Sequence, residues 1–259
     1  MDFSDFLVRK CPPTAMYIPN FITSEEEQRI LSHIERAPKP KWTQLRNRRL
    51  INYGGVPHPK AMLAEEMPEW VQHYVDKINN LGIFESQKAN HVLVNEYKSG
   101  QGIMPHIDGP LFYPIISTIS CGSHTLLEFM EREKATEDPV PIDVDSDTAA
   151  VAIPKREVLF KLLLEPRSLL ILKDELYKNY LHSISELTSD VLCDRVCNYE
   201  NCENSYKMGE CLERKTRISL TIRNVPKTTK MNLNCNKQFV LNLYFNFYPS
   251  SLFNHIKNI

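Results

Sequence analysis

Glycine is scarce in this chain, eight residues in 259, and none of it forms the glycine-rich loop that cradles phosphates. No run of about 18 apolar residues occurs, so no segment is expected to cross a membrane. The first residues lack the basic-then-apolar pattern of a secretory leader. Neither charge is in excess: 31 Lys and Arg stand against 32 Asp and Glu, a net charge of −1. A globally basic nucleic-acid binder is thereby excluded, while a local basic patch is not. The seven cysteines are an odd number without framework spacing. Reduced thiols in an intracellular protein of nucleus and cytoplasm are therefore expected, not a disulfide scaffold.

What is present suits one sizeable domain. Apolar residues make up 42% of the chain, enough for a packed core. Thr23 and Glu26 form a capping box, and Glu25, Glu26 and Glu27 place negative charge at a helix start, with Ile30, Leu31 and Ile34 on one face. A second helix is expected after Pro68, carrying Trp70, Tyr74, Ile78 and Leu81 and ending at Gly82. Between the two helices, residues 36–60 hold Lys39, Lys41, Arg46, Arg48, Arg49 and Lys60 among Trp42 and Tyr53. Prolines and Gly54-Gly55 argue for loops or a short hairpin there. A basic loop with aromatics suits phosphate contact and base stacking; equally, it suits a solvated loop whose Trp42 plugs the core.

From residue 90 the pattern changes to period two. Leu93, Asn95 and Tyr97 share one face of a strand, and Val92, Val94 and Glu96 share the other. After a Ser99-Gly100 turn come His106 and Asp108, a His-x-Asp pair whose side chains would point the same way in an extended strand. Strands are expected over 115–121, 125–130, 158–164 and 169–172, followed by a segment 177–184 containing His182. His124, in a turn, reads as a surface or satisfied histidine. Residues 131–157 read as an acidic surface insertion; Asp143, Asp145 and Asp147 alternate there, but the glycine and closing glutamate of a calcium loop are missing. Residues 186–213 carry Cys193, Cys197, Cys202 and Cys211 at spacings unlike a paired zinc site, and a flexible loop is expected. In 216–225, Arg217, Ser219, Thr221 and Arg223 alternate with Ile218, Leu220 and Ile222. An inward face built from two guanidiniums and two hydroxyls matches an anion. The tail, 227–259, has no clear period.

These residues form a set. His106, Asp108 and His182 supply two imidazoles and one carboxylate, the arrangement of non-haem Fe(II) oxygenases. Many short strands with few helices favour a double-sheet jelly roll, mainly β with flanking helices (α+β), packed by the N-terminal helices. The order Asn95-Glu-Tyr97, His106-Ile-Asp108, His182 and Arg217-Ile-Ser-Leu-Thr-Ile-Arg223 resembles the AlkB-like Fe(II)/2-oxoglutarate dioxygenases over residues 15–226. Residues 37–45, Tyr53-Gly-Gly55 and the helix after them are similar to one animal branch of that family.

The resemblance implies a double-stranded β-helix and a set of roles. Fe(II) would be held by His106, Asp108 and His182. Asn95 and Tyr97 would hydrogen-bond 2-oxoglutarate. Arg217 would pair with its distal carboxylate, helped by Ser219 and Thr221, and Arg223 would lie near the metal carboxylate. Ser219 departs from the bacterial pattern, where an Asn is usual, but its hydroxyl still donates. With O2, such enzymes convert 2-oxoglutarate to succinate and CO2, hydroxylate an N-methyl group and release formaldehyde. Residues 36–60, with Trp42, Arg46, Arg48, Arg49 and Tyr53, would correspond to the lid over a nucleotide substrate. A monomer acting on DNA or RNA is expected. A methylated protein substrate, a catalytically silent binding module and a zinc hydrolase are the competing readings.

Overall fold

The alternating segments after residue 90 become two antiparallel sheets packed face to face in the computed structural model, which describes residues 3–12, 14–132 and 156–230. In chain order, β1 (Ala15–Ile18) leads into helix α1 (Ser24–Glu35), then β2 (Thr43–Leu45), β3 (Arg48–Tyr53), β4 (Met62–Leu63) and helix α2 (Glu69–Asn79). There follow β5 (His91–Tyr97), β6 (Ile103–His106), β7 (Ile115–Cys121), β8 (Thr125–Glu131), β9 (Phe160–Leu164), β10 (Leu169–Lys173) and the short helix α3 (Asp174–Lys178). The last elements are β11 (Tyr180–Ile184), β12 (Ser189–Val191), β13 (Cys211–Glu213), β14 (Arg217–Arg223) and β15 (Thr228–Thr229).

The larger sheet has the order β1-β10-β7-β14-β5-β3-β2, and the smaller β6-β11-β8-β9. From β5 to β14 the chain passes between them: β5, β7, β10 and β14 lie in the larger sheet, and β6, β8, β9 and β11 in the smaller. Eight strands distributed this way make a jelly roll, or double-stranded β-helix. Strands β1, β2 and β3 extend the larger sheet at its two edges.

Each strand divides its residues between two environments, as pleating requires. On β14, Ile218, Leu220 and Ile222 join Val92, Val94 and Ile119 against the helices, which contribute Ile30, Ile34, Val71, Tyr74 and Ile78. Burying each such aliphatic side chain contributes roughly 1.5–3 kcal/mol. Leu170 and Leu172 of β10 turn the other way, joining Leu127, Phe129, Leu162 and Leu164 between the sheets. The capping box of α1 forms as expected, with Glu26 N–H donating to Thr23 Oγ1 at 3.2 Å and Thr23 N–H to Glu26 Oε2 at 2.8 Å. Helix α2 starts after Pro68, and Gly82 takes a left-handed φ of 73° just beyond it.

Two expectations need correction. Asp108 does not lie in the strand with His106; β6 ends at His106 and Asp108 stands in the following loop. The cysteine-bearing segment 186–213 is not a flexible loop, since β12 and β13 pair within it. It is anchored by Glu165, whose carboxylate accepts from Glu203 N–H, Asn204 N–H, Asn204 Nδ2 and the hydroxyls of Tyr206 and Tyr17. The stretch 36–60 holds the short hairpin that was expected, formed by β2 and β3, and β3 also pairs with β5 as part of the larger sheet. Most of the acidic insertion, including the aspartates of the calcium-loop reading, and most of the tail lie outside the described residues. The described chain does run past residue 226, where β15 pairs in parallel with β4. No helix among the described residues is long and apolar enough to cross a membrane.

Candidate active site

A cavity of about 200 Å³ opens between the two sheets, and the polar faces of β5 and β14 line it. Pairing explains why these faces meet. In the β14–β5 register Arg217 stands opposite Tyr97, Ser219 opposite Asn95 and Thr221 opposite Leu93. A one-residue slip would exchange this polar row for the aliphatic one, so burial on the helix side fixes the register.

The smaller sheet brings the histidines together by the same means. His106 on β6 is the direct cross-strand partner of His182 on β11, with ring centroids 4.3 Å apart. Asp108 reaches the pair from its loop, its Oδ2 3.5 Å from His182 Nε2. The Nδ1 of His106 lies 2.8 Å from the carbonyl oxygen of Met104. A carbonyl only accepts, so Nδ1 carries the proton and Nε2 keeps its lone pair. Among the described residues, the three side chains are neighbours but do not close into a complete metal cage.

Charge in this cavity is lopsided. Burial pushes the Asp108 carboxyl up, but Arg223, His182 and His106 outweigh it and hold the group below the usual carboxylate range. Burial, then the neighbouring His106, pulls His182 down to about 4, and burial also lowers His106. Both imidazoles are thus neutral donors at pH 7. Arg223 Nη1 donates to Asp108 Oδ1 at 2.7 Å, and its guanidinium lies 4.0 Å from the centre of the Phe112 ring. Arg217 is only 4% exposed, and burial pulls it down to about 10. Its Nη2 donates to Ser120 Oγ at 2.9 Å and its Nε has no partner. Among the described residues no carboxylate pairs with it.

The structure therefore brings His106, Asp108, His182, Asn95, Tyr97, Arg217, Ser219, Thr221 and Arg223 to one cavity. The lid residues divide. Arg48 lines the cavity and Arg46 is exposed at the hairpin turn. Tyr53 is instead buried, packed edge-on against Trp70 at 5.7 Å, and offers no ring face to a base. Arg49 points away from the cavity, making a bidentate pair with Glu96 at 2.7 and 2.6 Å, and it covers the Trp42 ring at 3.9 Å. Trp42, half-buried against the core, is thereby covered on one face. His124 Nε2 lies 3.3 Å from Asp190 Oδ2, a close approach without hydrogen-bond geometry, so the expected satisfied histidine is only approximated.

Sequence reasoning missed Ser120, the hydroxyl partner of Arg217, although Thr118 and Ser120 alternate on β7 as the polar residues of β14 do. It also missed Tyr177, whose hydroxyl donates to Gly109 O at 2.5 Å and ties down the loop beside Asp108. No local pattern marks Tyr177.

Comparisons with known proteins give the family. Residues 37–223 match the 2OG-Fe(II) oxygenase superfamily. The chain is 48% identical over 233 residues to the probable RNA/DNA demethylase ALKBH6 of Danio rerio, covering 90% of this chain and 94% of that protein. It is 28% identical over 217 residues to the uncharacterized protein L905 of Acanthamoeba polyphaga mimivirus, covering 81% and 84%. Among solved structures, OsALKBH1 aligns at 14% identity with a TM-score of 0.49, over 83% of this chain and 100% of that one. The chain belongs to the 2OG-Fe(II) oxygenase superfamily, in its AlkB-like branch.

Proposed function

We propose that this oxygenase removes alkyl groups from nucleic-acid bases, with Fe(II) held by His106, Asp108 and His182. The observation that carries the cosubstrate assignment is the buried Arg217 guanidinium, which has a free Nε and no carboxylate partner among the described residues. A buried cation without a counter-charge is costly, and the distal carboxylate of 2-oxoglutarate supplies one bidentately. The donor set fits iron: two neutral imidazoles and one ionised carboxylate, with His182 and Asp108 at 3.5 Å. Two donors bonded to one ion at about 2.1 Å sit roughly 3 Å apart, close to that spacing.

The chain's own groups then have definite tasks. Arg217, Ser120 and the hydroxyls of Ser219 and Thr221 hold one end of the cosubstrate. Asn95 and Tyr97 orient it from the neighbouring strand. Arg223 keeps Asp108 ionised, and the Met104 carbonyl keeps His106 Nε2 available. Leu127, Leu164, Leu170 and Leu172 form an apolar wall that excludes water. When bound, iron, 2-oxoglutarate and O2 supply the oxidation: succinate and CO2 form, and the hydroxylated N-methyl carbon leaves as formaldehyde.

Two features support a nucleic-acid substrate. The zebrafish relative is named a probable RNA/DNA demethylase. The β2–β3 hairpin at the sheet edge and its approaches expose Lys39, Lys41, Arg46 and Lys60, a positive surface for a phosphate backbone. A base must leave its stack to enter a cavity between two sheets. The test is formaldehyde release from methylated DNA, RNA and peptide pools, with iron and 2-oxoglutarate supplied. Release from a nucleic-acid pool is expected; release from peptides alone assigns the enzyme to methylated proteins and overturns the nucleic-acid reading.

A further inference from the structure

A second and much smaller cavity, of about 10 Å³, shares Tyr97, Ile184 and Arg217 with the first. The Arg217 side chain is thus part of the wall between the two. Around the small cavity stand three buried polar atoms without a hydrogen-bond partner: Arg217 Nε, Thr125 Oγ1 and His124 Nε2. Thr125 opens β8 and is only 2% exposed; His124 ends the turn before it. His124 Nε2 approaches Asp190 Oδ2 at 3.3 Å, but without hydrogen-bond geometry. Unpaired buried groups are costly, and three around one space call for a common partner.

The size and chemistry of the space name that partner. The other buried cation there, Arg214, is already bonded: its Nε and Nη2 donate to Asp190 at 2.7 and 2.6 Å, and its Nη1 to Ser185 O at 2.6 Å. Lys98 and Lys215 are exposed. A cavity of about 10 Å³ holds one water molecule, and a buried water makes about three hydrogen bonds. The guanidinium only donates, the hydroxyl donates and accepts, and an imidazole nitrogen does one or the other, so a water can serve all three.

We infer that one buried water joins Arg217 Nε, Thr125 Oγ1 and His124 Nε2, and that Thr125 acts through it as a positioning residue for the cosubstrate arginine. The inference rests on the reading of Arg217 given above. Ser120 holds the guanidinium at Nη2 and the water holds it at Nε. Fixed at both points, the planar group keeps its remaining Nη hydrogens for the carboxylate and has little freedom to lose when the cosubstrate arrives.

The experiment titrates iron-loaded protein with 2-oxoglutarate under anaerobic conditions, measures turnover to succinate in air, and determines a crystal structure with ordered waters. Thr125→Val keeps the shape of the side chain and removes the hydroxyl. It should weaken 2-oxoglutarate binding and raise its KM about fivefold, the worth of one net hydrogen bond, with kcat and melting temperature retained. Thr125→Ser should restore the affinity. In an Arg217→Met background Thr125→Val should lose nothing further, because the two act as a unit. A 2-oxo acid that lacks the distal carboxylate should bind the valine variant and the unaltered protein equally. The crystal structure should show one water within hydrogen-bond distance of the three atoms.

Unchanged 2-oxoglutarate affinity in Thr125→Val, or a loss that simply adds in the Arg217→Met background, overturns the inference while the cosubstrate reading stands. So does a lowered kcat with unchanged KM, or a crystal structure with no water, or an anion, at that point. If the valine variant melts early, Thr125→Ala takes its place with the same outcomes. Full 2-oxoglutarate affinity in Arg217→Met overturns the cosubstrate reading itself.

Discussion

Arg223 and Asp108 are separated by 115 residues of chain, yet Nη1 of one lies 2.7 Å from Oδ1 of the other. Both side chains are nearly buried, and Phe112 covers the guanidinium. Removing one partner of such a pair leaves an uncompensated charge, which costs about 3 kcal/mol or more. Arg223→Gln should therefore lower the urea midpoint and abolish iron-dependent turnover of 2-oxoglutarate. Lysine should not restore either, since it lacks the planar group that lies on Phe112.

Arg217 behaves in the opposite way. It is a buried cation without an acidic partner among the described residues, so its removal relieves desolvation. Arg217→Met is expected to keep or raise the melting temperature. The same change should raise KM for 2-oxoglutarate about a hundredfold, as loss of a charged bidentate contact does. A variant that melts early with an unchanged KM would contradict the role proposed for this residue.

His91 sets a pH dependence of stability. It has no exposure, its Nε2 lies 3.0 Å from Asn52 Oδ1, and burial, then Arg223, pulls it down to about 3. The folded state thus binds the proton less readily than the unfolded chain. The stabilising effect is full above the ordinary histidine value near 6.5 and declines as pH falls toward 3. Unfolding free energy should drop in that window with a contribution of up to about 1.4 kcal/mol per pH unit. Urea titrations of His91→Leu across pH 7 to 5 should show a shallower fall.

Gly102 precedes β6, and a Cβ there would lie 2.1 Å from the carbonyl oxygen of Ile184 on β11. That contact is with backbone, so β6 would have to move away from β11. Gly102→Ala is expected to destabilise the protein by about 2 kcal/mol, within the range of overpacking. It should also weaken iron binding, because the movement separates His106 from His182. Thermal melting and anaerobic iron titration check the two effects.

The parts of this molecule written in local periodicity were readable from its sequence. The capping box at Thr23, the two faces of β5 and the two faces of β14 all rest on spacings of two to four residues. No short-range rule brings β6 beside β11, so the expectation that His106, His182, Arg217 and Arg223 share one centre comes from the order of the motifs and the family resemblance. What escaped was set by distant partners. Tyr53 and Arg49 sit in a basic, aromatic stretch, and only Trp70 and Glu96 show that one is core and the other brace. The segment 186–213 has weak patterning of its own and is ordered by a carboxylate at Glu165, which also takes the hydroxyl of Tyr17. The loop that carries Asp108 is bonded at Gly109 by Tyr177, for which nothing nearby in the chain gives a cue.

Strand β14 is bonded on both sides, by β5 and by β7, whereas the β2–β3 hairpin hangs at the rim, with β2 unpaired on its outer side among the described residues. Inserting or deleting a residue within the former would turn one of its two end arginines toward the helices; the outer half of the latter, β2, is held to the sheet through β3 alone. On the function proposed above, reaction and substrate contact rest on separate pieces of scaffold. An engineer seeking new targets would leave the middle of the sandwich alone and diversify its border.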